Sequence, residues 1–205
     1  EEAIASMGAR LSMEVGTSFV RLHGTVIRRN LVAFCELFFE LAAKPGFRVA
    51  DIAQIKRETV ADLVALRDND KALAARHFRR HLFGAHPYVR SPMGTPAAIE
   101  AMSAAKLRAQ HRRHFRARNA ILGFAGDVDA AEVSRILERA ARLLPGGRAP
   151  ADRVPAPRML TGRRILVVDK PERTQAQLFV GTLGSHIGDP QYLPLLVANT
   201  AFGGT

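Results

Sequence analysis

Arg10-Leu-Ser-Met-Glu-Val15, then Gly16-Thr17, then Ser18-Phe-Val-Arg-Leu-His-Gly-Thr-Val-Ile27: the fold turns on this stretch. Apolar and polar side chains alternate on both sides of the Gly16-Thr17 pair. That period of two belongs to half-buried strands, so the stretch reads as a β-hairpin. Before it, residues 2 to 8 read as the end of a helix stopped at Gly8. After it, Leu31, Phe34, Cys35, Phe38, Leu41 and Ala42 recur at helical spacing up to Lys44-Pro45-Gly46, with Asn30 placed to cap the helix start. Cys35 has Phe38 and Phe39 as its i+3 and i+4 neighbours, which suits a buried small hydrophobe rather than a reactive thiol.

Outward from the hairpin, a long helical pattern runs from Asp51, a candidate N-cap, to about Leu82, with an interruption expected at Arg67-Asp-Asn-Asp70. Gly84 to Pro96 is a loop by its Gly and Pro content. A short helix near 96 to 101, a basic helix over about 103 to 118, a strand within Asn119 to Val128 and a helix over 129 to 144 follow. Residues 145 to 162 hold four Pro and three Gly and read as an interdomain linker of extended character. Beyond it come strands at Arg163–Asp169 and Gln177–Leu183 and a helix from about Pro190 to Thr200. A strand, strand, helix unit of that length is small for a core of its own.

The 205 residues have 47% hydrophobic and 24% charged side chains, an ordinary globular balance that excludes disordered and collagen-like chains. One cysteine excludes an internal disulfide framework and a cysteine-built metal site. No apolar run reaches the roughly 20 residues of a membrane-spanning helix. The start carries no basic-then-apolar leader, and since residue 1 is Glu we expect that a leader, and more, has already been removed. The formal charge is +11, from 30 Lys and Arg against 19 Asp and Glu. Such a charge raises nucleic-acid binding as one reading. The densest patch, Ser103 to Arg118, holds six cations and no acid, yet Leu107, His111 and Phe115 line one side of it at helical spacing. It therefore reads first as an amphipathic helix with a solvated basic face, and nucleic acid is not expected as a partner.

Several words in the sequence resemble one family. They are Gly8-Ala-Arg-Leu-Ser12 before an alternating hairpin, Leu82-Phe-Gly-Ala-His-Pro-Tyr88, Met93-Gly-Thr95, His111 to Asn119-Ala120, Gly126-Asp-Val-Asp129, Lys170-Pro171 with Gln175 and Gln177, Asp189-Pro190 with Tyr192, and Asn199 with Gly203-Gly204. In this order, across nearly the whole chain, they resemble the pitrilysin/insulinase-type zinc metallopeptidases, which include mitochondrial processing peptidase and paired bacterial relatives. The resemblance implies an α+β fold, an antiparallel-rich sheet with helices packed on one face, built as two homologous domains. Residues 1–144 would be most of the first domain without its N-terminal elements, 145–162 the linker, and 163–205 the start of an incomplete second domain.

The family's chemistry uses His-x-x-Glu-His on a helix: two histidines four apart share a face as zinc ligands, and the glutamate activates the bound water. By the resemblance this motif belongs upstream of Gly8-Ala-Arg-Leu11. His77-Phe-Arg-Arg-His81 has the ligand spacing, but Arg80 stands where the base should be, and a cation beside zinc opposes metal binding. His111 and His114, flanked by arginines, read as ordinary helix positions. The resemblance places Asp62 at the position of the third ligand, a Glu in active members, and apolar Ile55 where many members have a supporting Glu. These departures lead us to expect no catalytic residue and no metal site in this chain, with zinc supplied in the family or by a partner subunit. The resemblance further implies that a peptide substrate adds as a strand along Ser12, Met13, Glu14 and Val15.

The expectation is therefore an inactive partner or half-unit that encloses peptide substrate beside a zinc-bearing subunit, as a homo- or heterodimer with a related peptidase subunit. The alternatives are a fragment of an active zinc metalloendopeptidase and, from another class, a basic nucleic-acid-binding module. The relatives point to a bacterial source and leave a periplasmic or cytoplasmic location open.

Overall fold

The computed structural model describes residues 2–147 and 153–202. Part of the linker stretch and the Gly203-Gly204 word fall outside them. The chain divides into two compact units, Glu1–Leu63 with Arg90–Arg153, and Val64–Val89 with Val154–Thr205.

The first unit opens with helix α1 (Glu2–Ser6), which ends at Gly8 in the left-handed region at φ +60°. Strands β1 (Arg10–Val15) and β2 (Val20–Thr25) then pair antiparallel, Arg10 opposite Thr25 and Val15 opposite Val20. This register puts Leu11, Met13, Val15, Val20 and Leu22 on one apolar face and Ser12, Glu14, Arg21 and His23 on the other. The apolar face docks at Gly24, where a Cβ would stand 2.5 Å from the ring of Phe34, so only glycine lets helix α2 (Leu31–Ala43) come this close. Elsewhere this face is uncovered: Met13 is 67% exposed, and only Leu11 and Leu22 are partly covered. The half-buried strands expected from the alternation are thus mostly solvated, because the hairpin meets its helix at one end.

The core lies between α2 and α7 (Ala130–Leu143), two helices far apart in sequence. Leu31, Cys35 and Phe39, four apart, form one stripe, and Ile136 and Ala140, also four apart, form the facing stripe, with Val26, Phe38, Phe124 and Val128 packed around them. Ala140 is 1% exposed and lets the helices approach. Arg28 flanks the pair, its Nη2 2.8 Å from Glu132 Oε2, as does Arg139, which donates to Glu36.

Helix α3 (Val49–Ala65) begins two residues before Asp51. Asp51 lies in the first turn, where its charge faces the positive end of the helix dipole, rather than at the cap. Asn30 does occupy the cap position of α2 but makes no cap bond; its Nδ2 donates to Met7 O at 2.9 Å and ties the α1 turn to α2. The expected interruption is a 3-10 turn, Leu66–Asp68, after which Asn69 Oδ1 accepts from Ala72 N at 2.9 Å and starts α4 (Asp70–Phe83) in the second unit. Back in the first unit come α5 (Pro96–Glu100), capped by Thr95, and α6 (Ala104–His114), capped by Ser103. His111 Nε2 lies 2.8 Å from Ala42 O and its ring stacks on Phe115, which fixes α6 against the end of α2.

In the second unit, α8 (Tyr192–Ala201) follows a long extended stretch. The strands expected within Asn119–Val128 and at Arg163–Asp169 and Gln177–Leu183 carry no ladder among the described residues. Their side chains still alternate. Ile165 and Val167 are 88% and 81% exposed, whereas Leu166 and Val168 are 50% and 45% exposed. An extended segment becomes a strand only when a neighbour takes its N–H and C=O groups, and these segments have none here. Phe179 leans on Phe78 of α4 at 6.0 Å between ring centroids, and Gly181 lies against the same ring. The described fold leaves 16277 Å² accessible. Two separate compact units of half this length would leave about 11,000 Å². No described helix is long and apolar enough to cross a membrane.

Candidate functional site

The β1 edge is the first candidate. Gly16 N donates to Phe19 O at 2.9 Å, so the Gly16 and Phe19 pair is a hydrogen-bonded one. Antiparallel ladders alternate, which makes Arg10, Ser12 and Glu14 the β1 residues bonded to β2. Leu11, Met13 and Val15 therefore direct their N–H and C=O groups to the open edge. Of the four residues expected to meet substrate, Met13 and Val15 offer backbone bonds. Ser12 and Glu14 instead present side chains on the polar face, where Arg21 donates to Glu14 at 2.9 Å and lies over the Phe19 ring at 5.0 Å. Leu11 is an edge residue that the sequence reading leaves out: a Gly16-Thr17 turn would turn the opposite set of residues outward, whereas the structure closes the turn at Gly16 and Phe19, around Thr17-Ser18.

The zinc question turns on the donor set. Among the described residues no three His, Cys, Asp or Glu side chains converge as a metal site would require. His77 and His81 sit on α4 with Arg80 exposed between them. Asp62 stands exposed on α3, and Lys56, one and a half turns earlier, donates instead to the carbonyls of Glu100 at 2.7 Å and Met102 at 3.2 Å. Ile55 is 59% exposed and supports nothing. These residues do not fit a catalytic zinc.

Three further features stand apart from these residues. A groove of about 400 Å³ runs along α2 and α7, with Val32, Cys35, Phe39, Ile136 and Leu143 on its floor. Burial pushes the Cys35 thiol up from its ordinary pKa, and the nearby Glu132 carboxylate adds to this, so Cys35 is a poor nucleophile there. In the second unit Lys170 Nζ donates at 2.6 Å to both Asp70 Oδ1 and Arg67 O, and Arg173 reaches Asp68 at 3.3 Å and Asp70 at 3.5 Å. The hydrogen bond from Lys170 holds the Asp70 carboxyl below the usual carboxylate range against a smaller opposing effect of burial, with the charges of Arg173 and Lys170 adding to the lowering. His86 is buried; its Nε2 lies 2.7 Å from Pro155 O and its Nδ1 accepts from Tyr88 N at 3.2 Å, the pattern of the tautomer with hydrogen on Nε2.

The model of the family described as "Peptidase M16 inactive domain" matches residues 101–205. The chain belongs to this family. The match agrees with the pitrilysin-like resemblance and with an α+β fold. An uncharacterized zinc protease of Mycobacterium bovis is 28% identical over 211 residues, covering 99% of this chain and 47% of that protein. One of Streptomyces coelicolor is 23% identical over 209 residues, covering 98% of the chain and 45% of that protein. The chain thus spans about half the length of the curated relatives it matches. A crystal structure of a peptidase M16 inactive domain from Pseudomonas fluorescens superposes with a TM-score of 0.71 at 23% identity, covering 77% of this chain and 39% of that one. The first half of a periplasmic protease from Escherichia coli gives 0.67 at 20% identity, covering 77% and 35%. These structures share the fold of this M16 chain.

Proposed function

We propose that this M16 inactive-domain chain is a non-catalytic half-unit that helps to enclose a peptide substrate beside a zinc-bearing related subunit, in a homo- or heterodimer. The observation that carries the reading is the pairing of an inactive-domain match with a donor set that does not fit zinc. The open β1 edge supports peptide contact: an extended peptide laid along Leu11, Met13 and Val15 would gain backbone hydrogen bonds with little demand on its sequence. The uncovered hairpin and extended segments support a partner surface.

On this reading the purified chain binds no stoichiometric zinc and cleaves no peptide. Elemental analysis and a quenched-fluorescence peptide assay check both; one zinc per chain, lost on His77→Ala or His81→Ala, would contradict the reading. Met13→Pro removes one outward N–H from the open edge. Each backbone bond contributes about 0.5–1.5 kcal/mol, so the variant should weaken peptide binding by roughly two- to tenfold in a titration. Binding unchanged by Met13→Pro would exclude this edge.

A second reading is favoured by the relatives' printed names, which are those of zinc proteases, and by the half-length coverage. There, the chain is a piece of an active zinc metalloendopeptidase. The residues encoded immediately upstream of Glu1 separate the two, since His-x-x-Glu-His there would establish the second.

A further inference from the structure

Outside the β1 edge, the strongest uncompensated chemistry lies on α6. Lys106, Arg108, Arg112 and Arg113 are all exposed, and Arg116 and Arg118 follow just past the helix end. Elsewhere some cations pair with carboxylates, as at Arg21, Arg28, Arg139, Lys170 and Arg173, and others such as Arg79 and Arg80 do not; what sets α6 apart is four cations with no acidic residue along its length. Among the described residues none of the α6 cations has such a partner. Several are held by backbone carbonyls instead: Lys106 Nζ donates to Ala101 O at 2.7 Å, Arg108 Nη2 to Phe47 O at 3.4 Å, and Arg116 Nη1 to Gly146 O at 2.8 Å. A carbonyl orients the side chain without neutralising it, so the charge remains for a ligand. The negative end of the α6 dipole accounts for some cation preference in the last turn. It does not account for Lys106 or Arg108, which stand earlier.

The arrangement has a shape. At 100° per residue, Arg108 and Arg112 form one border of the outer face and Lys106 and Arg113 the other, while exposed Ala105 and Ala109 form a low strip between them. Carboxylates on a chain laid along that strip meet guanidinium or ammonium groups on both sides. Two competing polyanions fit less well. His111 and Phe115 are stacked on each other at 4.4 Å, His111 also meets Phe47 edge-on, and His114 is half-buried on the side of α6 opposite Ala105 and Ala109, so among the described residues no ring of α6 stands on the outer face for base stacking. The strip has no apolar side chain larger than alanine to enter a lipid surface.

We propose that the outer face of α6 binds an acidic stretch of a peptide substrate, an inference that rests on the reading of this chain as a peptide-handling subunit. The test is fluorescence anisotropy of the 205-residue chain with labelled peptides of equal length, one rich in Asp and Glu, one neutral and one rich in Lys. At about 50 mM salt the acidic peptide should bind roughly tenfold tighter than the neutral one, and the difference should shrink at about 200 mM through screening. The double variant Arg112→Glu/Arg113→Glu should abolish the preference and leave the neutral peptide unaffected. Arg79→Glu/Arg80→Glu, on exposed α4 positions and with the same change in net charge, should keep it. Equal loss in both double variants would overturn the assignment to α6. Binding of neutral and acidic peptides alike would overturn the inference while leaving the peptide-handling reading intact, and failure of every peptide to bind would overturn both. A single-stranded oligonucleotide or a phosphatidylserine vesicle that binds more tightly than the acidic peptide would overturn the choice of partner.

Discussion

The α2–α7 pair and the extended segments between Val154 and Val180 carry apolar side chains in equally regular patterns, yet only the first buries them. In the pair, Leu31, Cys35, Phe39, Ile136 and Ala140 are all buried. In the later stretch Leu178 and Val180 are 85% and 87% exposed. The difference lies in what each kind of element needs. A helix satisfies its own backbone and needs one facing stripe, which α7 supplies to α2 from a hundred residues away. An extended segment needs neighbours along both edges and over its faces, and one contact such as Phe78 with Phe179 does not replace them. Much of the bare apolar surface thus lies in extended elements that depend on neighbours, and helix α8 adds Leu193 and Val197 to it, which supports the half-unit reading.

The sharpest way to break this comparison is to truncate one residue on each side of it. Phe39→Ala should destabilise the chain by about 3–5 kcal/mol in urea unfolding, as expected for an emptied core site. Val180→Ala should change it by no more than about 0.5 kcal/mol. Similar losses at both sites would remove the distinction.

A smaller effect concerns Cys35. Its raised pKa and its burial predict that a thiol reagent at mildly alkaline pH reacts at least about tenfold more slowly with the native chain than with the urea-unfolded one. Equal rates would show that the groove between α2 and α7 opens readily.

The smallest effect concerns Asp70, half-buried in its ion pair with Lys170 in the second unit. Its folded pKa is lowered, so the contact stabilises above the ordinary carboxylate range and is lost as pH falls through and below that range. The protection factor of the first-turn amides of α4, which divides out the intrinsic pH dependence of exchange, should fall on acidification in the native chain. In Asp70→Asn it should already be lower and stay flat with pH. A response unchanged by the substitution would assign it to another group.

The parts legible in the sequence were those set by local pattern. The hairpin follows from alternation around Gly16-Thr17, although its turn is centred one residue later on Thr17-Ser18, and the α2 stripe follows from the spacing of Leu31, Cys35 and Phe39. Even the break before α4 was marked by Asp68-Asn69-Asp70. What failed depended on distant groups. Asn30 looks like a cap, but Met7 O, brought near by the α1 turn, takes its amide. Arg163–Asp169 has the strand pattern and lacks a strand's neighbours. The Lys170 and Asp70 contact, spanning a hundred residues, has no signature in either local sequence. At the candidate site, the residues of β1 were readable, but which of them face outward required the Gly16 and Phe19 hydrogen bond.

If this chain completes a zinc peptidase without supplying the metal, as proposed, co-expression with a zinc-bearing M16 subunit from the same source should give co-elution of the two chains in size-exclusion chromatography. Zinc and peptidase assays on every fraction should then find activity in that peak and neither zinc nor activity in the free chain. Persistent separate elution, or stoichiometric zinc and peptide cleavage by this chain alone, would contradict the proposal.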